Sequence, residues 1–487
     1  MTITNASRFP SRVALAAIPV VGLAAFVLIV DGAGGLRSTG AAVLILAPVF
    51  LYVALEWPLQ SVFGLYALLV PFDNLLGTGS FGTITKFLGI AAGGFLALSL
   101  LRQRGFTFES VPLRVLCLLA LWMTASALWA LDQSAALRIL PTYLGLFALY
   151  AVFSMVPATP AQFRALLVTI LVGGLCAAAY GAHTFYQTAL PWSGAVPRLV
   201  LQMGEYNVDP NHFADALIFP ASIAGMWALK ARSFFVRVAC IGAVGLLAAS
   251  IMMSGSREGL LATILIAAYY AWRSRYRVRL LVIAAGVAVA AASVESSVFE
   301  RFSNALQTGG SGRTSIWAVA LEAAKHRLLQ GYGIGNFPVA FDQFYLHVPQ
   351  PYPFGWDSPA HNIVLHYLVE TGLIGLFAVG AFFWAQFRSM RHVDSQSELY
   401  DERIMMEAAL LAIVFVSTAI DLFHYKYAWL VFCMVALLRN AARGPQPSPS
   451  MARTTPVMMA ARSAPASTRA FASLPSSRSA SLSSSES

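Results

Sequence analysis

Charge is what this chain lacks most. Only 11% of its 487 residues are Asp, Glu, Lys or Arg, against about 25% in an ordinary soluble domain, which excludes a water-soluble globule. Cysteine is scarce too. Cys117, Cys176, Cys240 and Cys433 all lie within apolar runs, with no CxxC or Cys/His spacing, so neither a disulfide framework nor a thiolate metal site is expected. There is no Asp-x-Asp motif to hold a divalent metal, and no repeat of solenoid period. Acidic residues are outnumbered, giving a net charge of +10. The basic residues nevertheless cluster at the ends of apolar runs, where membrane topology explains them, so nucleic acid is not an expected partner.

Apolar residues fill the space that charge leaves. They make up 58% of the chain, with a mean hydropathy of +0.68, and they recur in runs close to the ~20 residues that cross a hydrocarbon core. The first run, Val13–Val30, follows Arg8 and Arg12 and has no small-residue cleavage site, so it reads as an uncleaved span. Further spans are expected at 40–56, 58–72, 85–101, 113–131, 137–156, 163–187, 212–229, 235–253, 257–272, 278–294, 361–386, 403–420 and 427–438. The fold class is therefore all-α integral membrane, a polytopic bundle of about 12–14 transmembrane helices surrounded by membrane lipids.

Alternate connections carry Arg102/Arg104, Lys230/Arg232, Arg273/Arg275/Arg277, Arg388/Arg391 and Arg439/Arg443. By the positive-inside rule these connections are cytoplasmic, as are both termini. The long polar stretches 190–211 and 295–360 then face the periplasm of a bacterial inner membrane. Within the second, Ile316, Ala320, Leu321, Ala324 and Leu328 form a helical stripe over 313–329, expected to lie at the membrane surface. Gly331 and Gly333 end that helix, and Pro349–Trp356 is extended and aromatic, suited to covering a site. The tail 444–487 is rich in Ser, Pro, Ala and Arg, and reads as a disordered cytoplasmic segment.

Three segments gather the polar chemistry. Asp357-Ser-Pro-Ala-His361-Asn362 opens an apolar run and continues as His-Asn-x9-Gly372-x-x-Gly375. Ser254-Gly-Ser-Arg257 carries an Arg-x3-Leu element ending at Leu261. Gly312-Arg313-Thr-Ser-Ile-Trp317 precedes Gly331-Tyr-Gly-Ile-Gly335-Asn-Phe337. In this order the three resemble the bacterial O-antigen ligase and polymerase superfamily over roughly residues 200–390. The resemblance implies a periplasmic, O-antigen ligase-like catalytic region at 201–390 that includes loop 295–360, between N-terminal transmembrane helices at 1–200 and C-terminal ones at 391–443. It also implies transfer of an undecaprenyl-diphosphate-linked glycan donor to lipid A-core or to a second lipid-linked glycan, as in lipopolysaccharide or exopolysaccharide synthesis, with a polysaccharide flippase or chain-length regulator as partner. Leu376 stands where some ligases carry Thr, which leaves ligase and polymerase both open. A transporter or lipid flippase is the competing class, given the many spans and the breaks at Pro141 and Pro220.

On this reading His361, Arg257 and Arg313 are the catalytic set. A guanidinium is always charged and forks onto phosphate oxygens; the alternative for Arg257 is an interfacial arginine paired with Glu258. Arg313 opens the loop helix, whose free N–H groups add to its pull on an anion. Ser358 and Pro359 suit an N-cap and first turn, which places His361 where the helix dipole favours neutral imidazole, a general base. Asn362, Asn211, Arg198 and Tyr206 are the candidate substrate contacts, though Asn211 or Asp209 equally suits a helix cap. Gly372 and Gly375 suit close helix packing. His366 and Glu370 could pair, and Asp421, His424 and Lys426 form a polar cluster near the same face. No metal or cofactor is expected.

Overall fold

Apolar runs of this length satisfy their backbone groups internally only as helices, and helices dominate the computed structural model. It describes residues 51–77, 82–103, 110–188, 198–203, 206–273, 275–280, 313–349 and 358–443. The elements are α1 (Val62–Leu69), α2 (Ile84–Gln103), α3 (Val111–Ser126), α4 (Gln133–Met155), α5 (Pro160–Thr188), the strands β1 (Gln202–Met203) and β2 (Tyr206–Asn207), then α6 (Pro210–Lys230), α7 (Phe234–Met253), α8 (Arg257–Arg273), α9 (Arg313–His326), α10 (Phe337–Phe344), α11 (Ile363–Met390), α12 (Tyr400–Ser417) and α13 (Lys426–Arg443).

Among the described residues seven helices, α2 to α7 and α11, are long and apolar enough to cross a membrane. The all-α polytopic class holds. Three more expected segments are helical but shorter or more charged: α8 has 17 residues, and α12 and α13 have 18 each. The runs expected at 13–30, 40–56 and 278–294 lie wholly or largely outside the described residues, as does the tail 444–487.

The expected span at 58–72 does not form. α1 stops after eight residues and passes into a 3-10 turn, Val70–Leu75. Pro71 lacks the N–H needed to continue an α-helix. The segment is apolar because the bundle buries it: Val62, Phe63, Tyr66, Val70, Phe72 and Leu75 are all covered.

Side-chain oxygens mark the helix starts. Asp132 caps α4 through the N–H groups of Ser134 and Ala135, Asp209 caps α6 ahead of Pro210, and Asn362 caps α11 through Val364 and Leu365. α6 and α13 are covered nearly all round, whereas Phe234, Phe235, Val236 and Val238 of α7 point outward. A continuous exposed apolar face of that kind belongs in lipid.

Charged residues tie one end of the bundle together. Glu402 on α12 accepts from Arg164 of α5 at 2.8 Å and from Lys230 of α6 at 3.1 Å. Asp401 faces Arg275 at 3.4 Å, and Glu407 accepts from Arg403 at 2.9 Å. Arg439 on α13 bonds the Ser154 carbonyl at 2.8 Å. The opposite ends of α6, α8, α11 and α13, at Pro210, Arg257, Ile363 and Lys426, carry the candidate site residues.

The stripe expected over 313–329 is displaced. α9 buries Ile316, Val319, Ala320, Ala323 and Ala324 against Tyr332, Phe337, Phe341 and Val369, while Leu321 and Leu328 stay exposed. Packing on α10 and α11 covers the other face of this helix.

Candidate active site

The glycine signature is a break in α11. Gly372 has φ 66° and ψ −169°, inside an otherwise helical run. A break in a membrane helix frees carbonyls and N–H groups that lipid cannot satisfy, and five of them find partners here. Val369 and Glu370 carbonyls accept from Tyr332 N at 2.8 Å and Gly333 N at 2.7 Å. The Thr371 carbonyl accepts from Trp122 Nε1 at 2.9 Å. Leu373 N donates to Leu328 O at 2.8 Å, and Ile374 N to Leu329 O at 3.4 Å. Segment 328–333 thus lies in the break as a backbone partner. A Cβ at Gly372 would sit 2.1 Å from Leu329 O, and one at Gly331 would sit 2.5 Å from the Glu370 backbone. The two glycine motifs are therefore the two sides of one backbone contact. At Gly372 the close helix packing read from sequence gives way to close approach of a loop, while Gly375 does lie against Trp122 of α3.

That contact carries the loop side of the site. Glu370 Oε1 accepts from Phe337 N at 3.0 Å and so holds the start of α10. Trp317, one turn after Arg313 on α9, donates to the Ala360 carbonyl at 3.2 Å. On the other flank Asn362 donates to the Thr418 carbonyl at 2.9 Å while its oxygen caps α11. His361 is pinned between these two anchors at φ 45°. A left-handed histidine costs free energy and persists only where its surroundings dictate it. The cap is therefore Asn362 rather than Ser358, because Asn362 is the residue whose oxygen meets the first free N–H groups. His361 stands just before the helix instead of in its first turn.

Burial, the Arg313 charge and His212 lower the proton affinity of His361, against Asp209 and Glu258, to a pKa of about 4. The imidazole is neutral at neutral pH, as the sequence led us to expect, but desolvation and a neighbouring cation are the cause. Arg313 Nη2 faces Glu258 Oε1 at 3.8 Å, too long for a hydrogen bond, and that buried oxygen has no hydrogen-bond partner among the described residues.

Arg257 opens α8 after a tight turn. Gly255 has φ 69°, and the Ser256 hydroxyl accepts from Gly259 N at 3.1 Å, capping the helix. Arg198 is buried; its Nε donates to the Ser254 carbonyl at 2.6 Å and its Nη2 to Asn211 Oδ1 at 2.7 Å. Those bonds make Arg198 and Asn211 a brace for the turn that presents Arg257. Tyr206 pairs with Met203 through the β-strand backbone, and its side chain is outside what is described.

Several polar residues reach the site from distant parts of the sequence. His212 Nδ1 lies 3.0 Å from the Tyr427 hydroxyl and its Nε2 lies 2.9 Å from that of Tyr425. His366 bridges Glu370 at 3.2 Å and Asp421 at 3.5 Å. Burial pulls the Asp421 carboxyl up, but His366 and a hydrogen bond with His424 outweigh it and hold the group at about 2. The 1,4 spacing of His366 and Glu370 signals this pairing in the sequence; nothing local signals that His212 meets two tyrosines more than 200 positions away. Among the described residues no group of three or more His, Cys, Asp or Glu has the geometry to hold a metal ion.

Comparison with known proteins adds one match. Residues 242–380 fit the family described as O-Antigen ligase, while no curated protein matches the chain. The matched segment runs from α7 into α11, taking in Arg257, Arg313, His361 and the broken helix. Over this segment the chain is similar to the O-antigen ligase superfamily.

Proposed function

We propose that this protein moves a glycan from an undecaprenyl-diphosphate carrier to an acceptor hydroxyl at the periplasmic face of a bacterial inner membrane. The observation that carries the reading is His361, pinned in a strained backbone conformation and kept neutral beside Arg313. The leaving diphosphate is already a stable anion, so the chemistry needs charge stabilisation, a placed acceptor and a base. Arg257 and Arg313 supply the charge. His361 takes the acceptor proton as the hydroxyl oxygen attacks the anomeric carbon and the C–O bond to the diphosphate breaks, a direct displacement with inversion and without a metal. A bound diphosphate offsets the Arg313 charge and raises the proton affinity of His361, making it a stronger base when donor is present. The acceptor is lipid A-core in a ligase and a second lipid-linked glycan in a polymerase; a flippase supplies the donor and a chain-length regulator acts on the product.

A broken membrane helix is also common in transporters. Here segment 328–333 occupies the break with hydrogen bonds, so the freed groups are not offered to a transported ion, which favours transfer over transport. The decisive experiment is deletion in the native host with wild-type or His361→Ala rescue, followed by analysis of undecaprenyl-linked glycans. Long polymers stranded on the carrier mean ligase; single repeats mean polymerase. Full rescue by the alanine variant removes His361 from the mechanism. Loss of activity in EDTA, restored by Mg²⁺, would overturn the metal-free step.

A further inference from the structure

Glu258 is an acid in a region that should favour anions. It follows Arg257 in the first turn of α8, it is buried, and its Oε1 faces Arg313 Nη2 from 3.8 Å. Among the described residues that oxygen accepts no hydrogen bond. A buried carboxylate is normally matched by hydrogen bonds as well as by a cation, as Glu402 is by Arg164 and Lys230. Glu258 has an attraction across a gap instead. It balances the charge of Arg313 without engaging the facing N–H donor.

The backbone that carries Glu258 has no room to shift. At Gly259, the next residue, an added Cβ would lie 3.0 Å from Ala214 Cβ on α6 and 3.2 Å from Ile251 Cγ2. The Ser256 hydroxyl holds the same turn by accepting from Gly259 N at 3.1 Å. Asp215, the residue after Ala214, is buried too, and neither of its oxygens accepts a hydrogen bond among the described residues. A second carboxylate on the adjoining helix disfavours any retreat of Glu258 toward α6. What freedom Glu258 has lies in its own side-chain torsions, toward Arg313 or away from it. A diphosphate reaching Arg313 brings like charge to the same guanidinium, and like charges at such distances repel.

We infer that Glu258 is an exchangeable counterion for Arg313: its carboxylate balances the guanidinium between turnovers, yields it to the donor diphosphate, and reclaims it as the carrier diphosphate leaves. The inference rests on the transferase reading and adds a residue that sets how tightly a lipid diphosphate is held. Glu258 is a positioning residue, acting through Arg313, and no bond forms or breaks in the exchange.

The test uses the purified full chain in detergent. Farnesyl diphosphate serves as a short lipid diphosphate and farnesol as its uncharged counterpart, both titrated by thermophoresis. Glu258→Gln keeps the shape and removes the charge. It should bind farnesyl diphosphate about tenfold more tightly, leave farnesol unchanged, and make turnover more sensitive to inhibition by the carrier diphosphate. Glu258→Asp keeps the charge but draws it one methylene back from Arg313. It should tighten binding by a smaller factor, and it decides the matter if the Gln variant fails to accumulate. Arg313→Gln should lose most of the affinity, and adding Glu258→Gln to it should change nothing further. A carboxylate with a purely structural role would instead lower Tm and weaken binding when removed. Unchanged or weaker binding in the Glu258 variants, or a tightening that persists in the Arg313→Gln background, overturns the counterion. Binding that needs Arg313 but ignores Glu258 sinks this inference alone and leaves the transferase reading standing. Absent binding, or binding that ignores Arg313, sinks the diphosphate role of that arginine and the inference with it.

Discussion

The two ends of the bundle treat charge in opposite ways. At one end Glu402 takes hydrogen bonds from Arg164 and Lys230, and Glu407 takes them from Arg403 and Tyr269. At the other, Arg313 and Glu258 face each other at 3.8 Å without a hydrogen bond, and a histidine beside them is strained. Closed ion pairs orient and lock helices. An open pair leaves the guanidinium donors unengaged by Glu258, which is what the proposed anion-binding role requires. On the proposed function the two ends divide stability from chemistry, and the division can be tested at each end.

The largest effect is expected at the junction that builds the site. Gly372→Ala forces a Cβ into the Leu329 carbonyl and a positive φ on alanine, and should abolish accumulation of folded protein, read as detergent-soluble yield and Tm. His361→Ala comes next, with an expected loss of about 10²–10⁴ in kcat at wild-type Tm. Arg313→Lys keeps the charge but loses the fork, and should cost about 10–100-fold in kcat/KM; full activity in both this variant and Arg257→Lys would show that neither arginine works by bidentate binding. Acid should act through His361. The base is neutral above its pKa, so kcat/KM holds at neutral pH and falls as pH drops through about 4, while the same limb in kcat sits at higher pH because bound diphosphate raises the pKa. The smallest effect belongs to the opposite end: Arg164→Gln, which leaves the buried Glu402 paired with Lys230 alone, should lower stability by about 1–3 kcal/mol and leave kcat/KM unchanged. A drop in kcat/KM there would erase the distinction between the two ends.

The sequence made the helices, their alternation and the three chemical segments legible, because hydropathy period and basic end residues are local signals. It could not show what depends on backbone conformation or on distance along the chain. Apolar residues continue on both sides of Gly372, so periodicity passes through the break unseen; only its positive φ and the paired loop reveal it. Val62–Leu75 is apolar enough to suggest a span, yet that apolarity serves burial. The α9 face was read correctly at Ile316, Ala320 and Ala324 but drawn toward the large side chains Leu321 and Leu328, whereas Val319 and Ala323 are the ones that complete the buried face. Asn362 was legible as part of a motif, but its work as cap and as a link to Thr418 depends on a carbonyl 56 positions away.

The loop set into α11 has a consequence for how the protein is made. Segment 328–333 precedes residues 369–374 in the chain, so the strand of backbone that satisfies the broken helix leaves the ribosome before the break itself. A nascent α11 entering the bilayer would otherwise carry unsatisfied groups that each cost several kcal/mol in lipid. Synthesis order supplies the partner in advance, and a circular permutant that reverses this order should insert poorly even though every contact of its finished fold is the same.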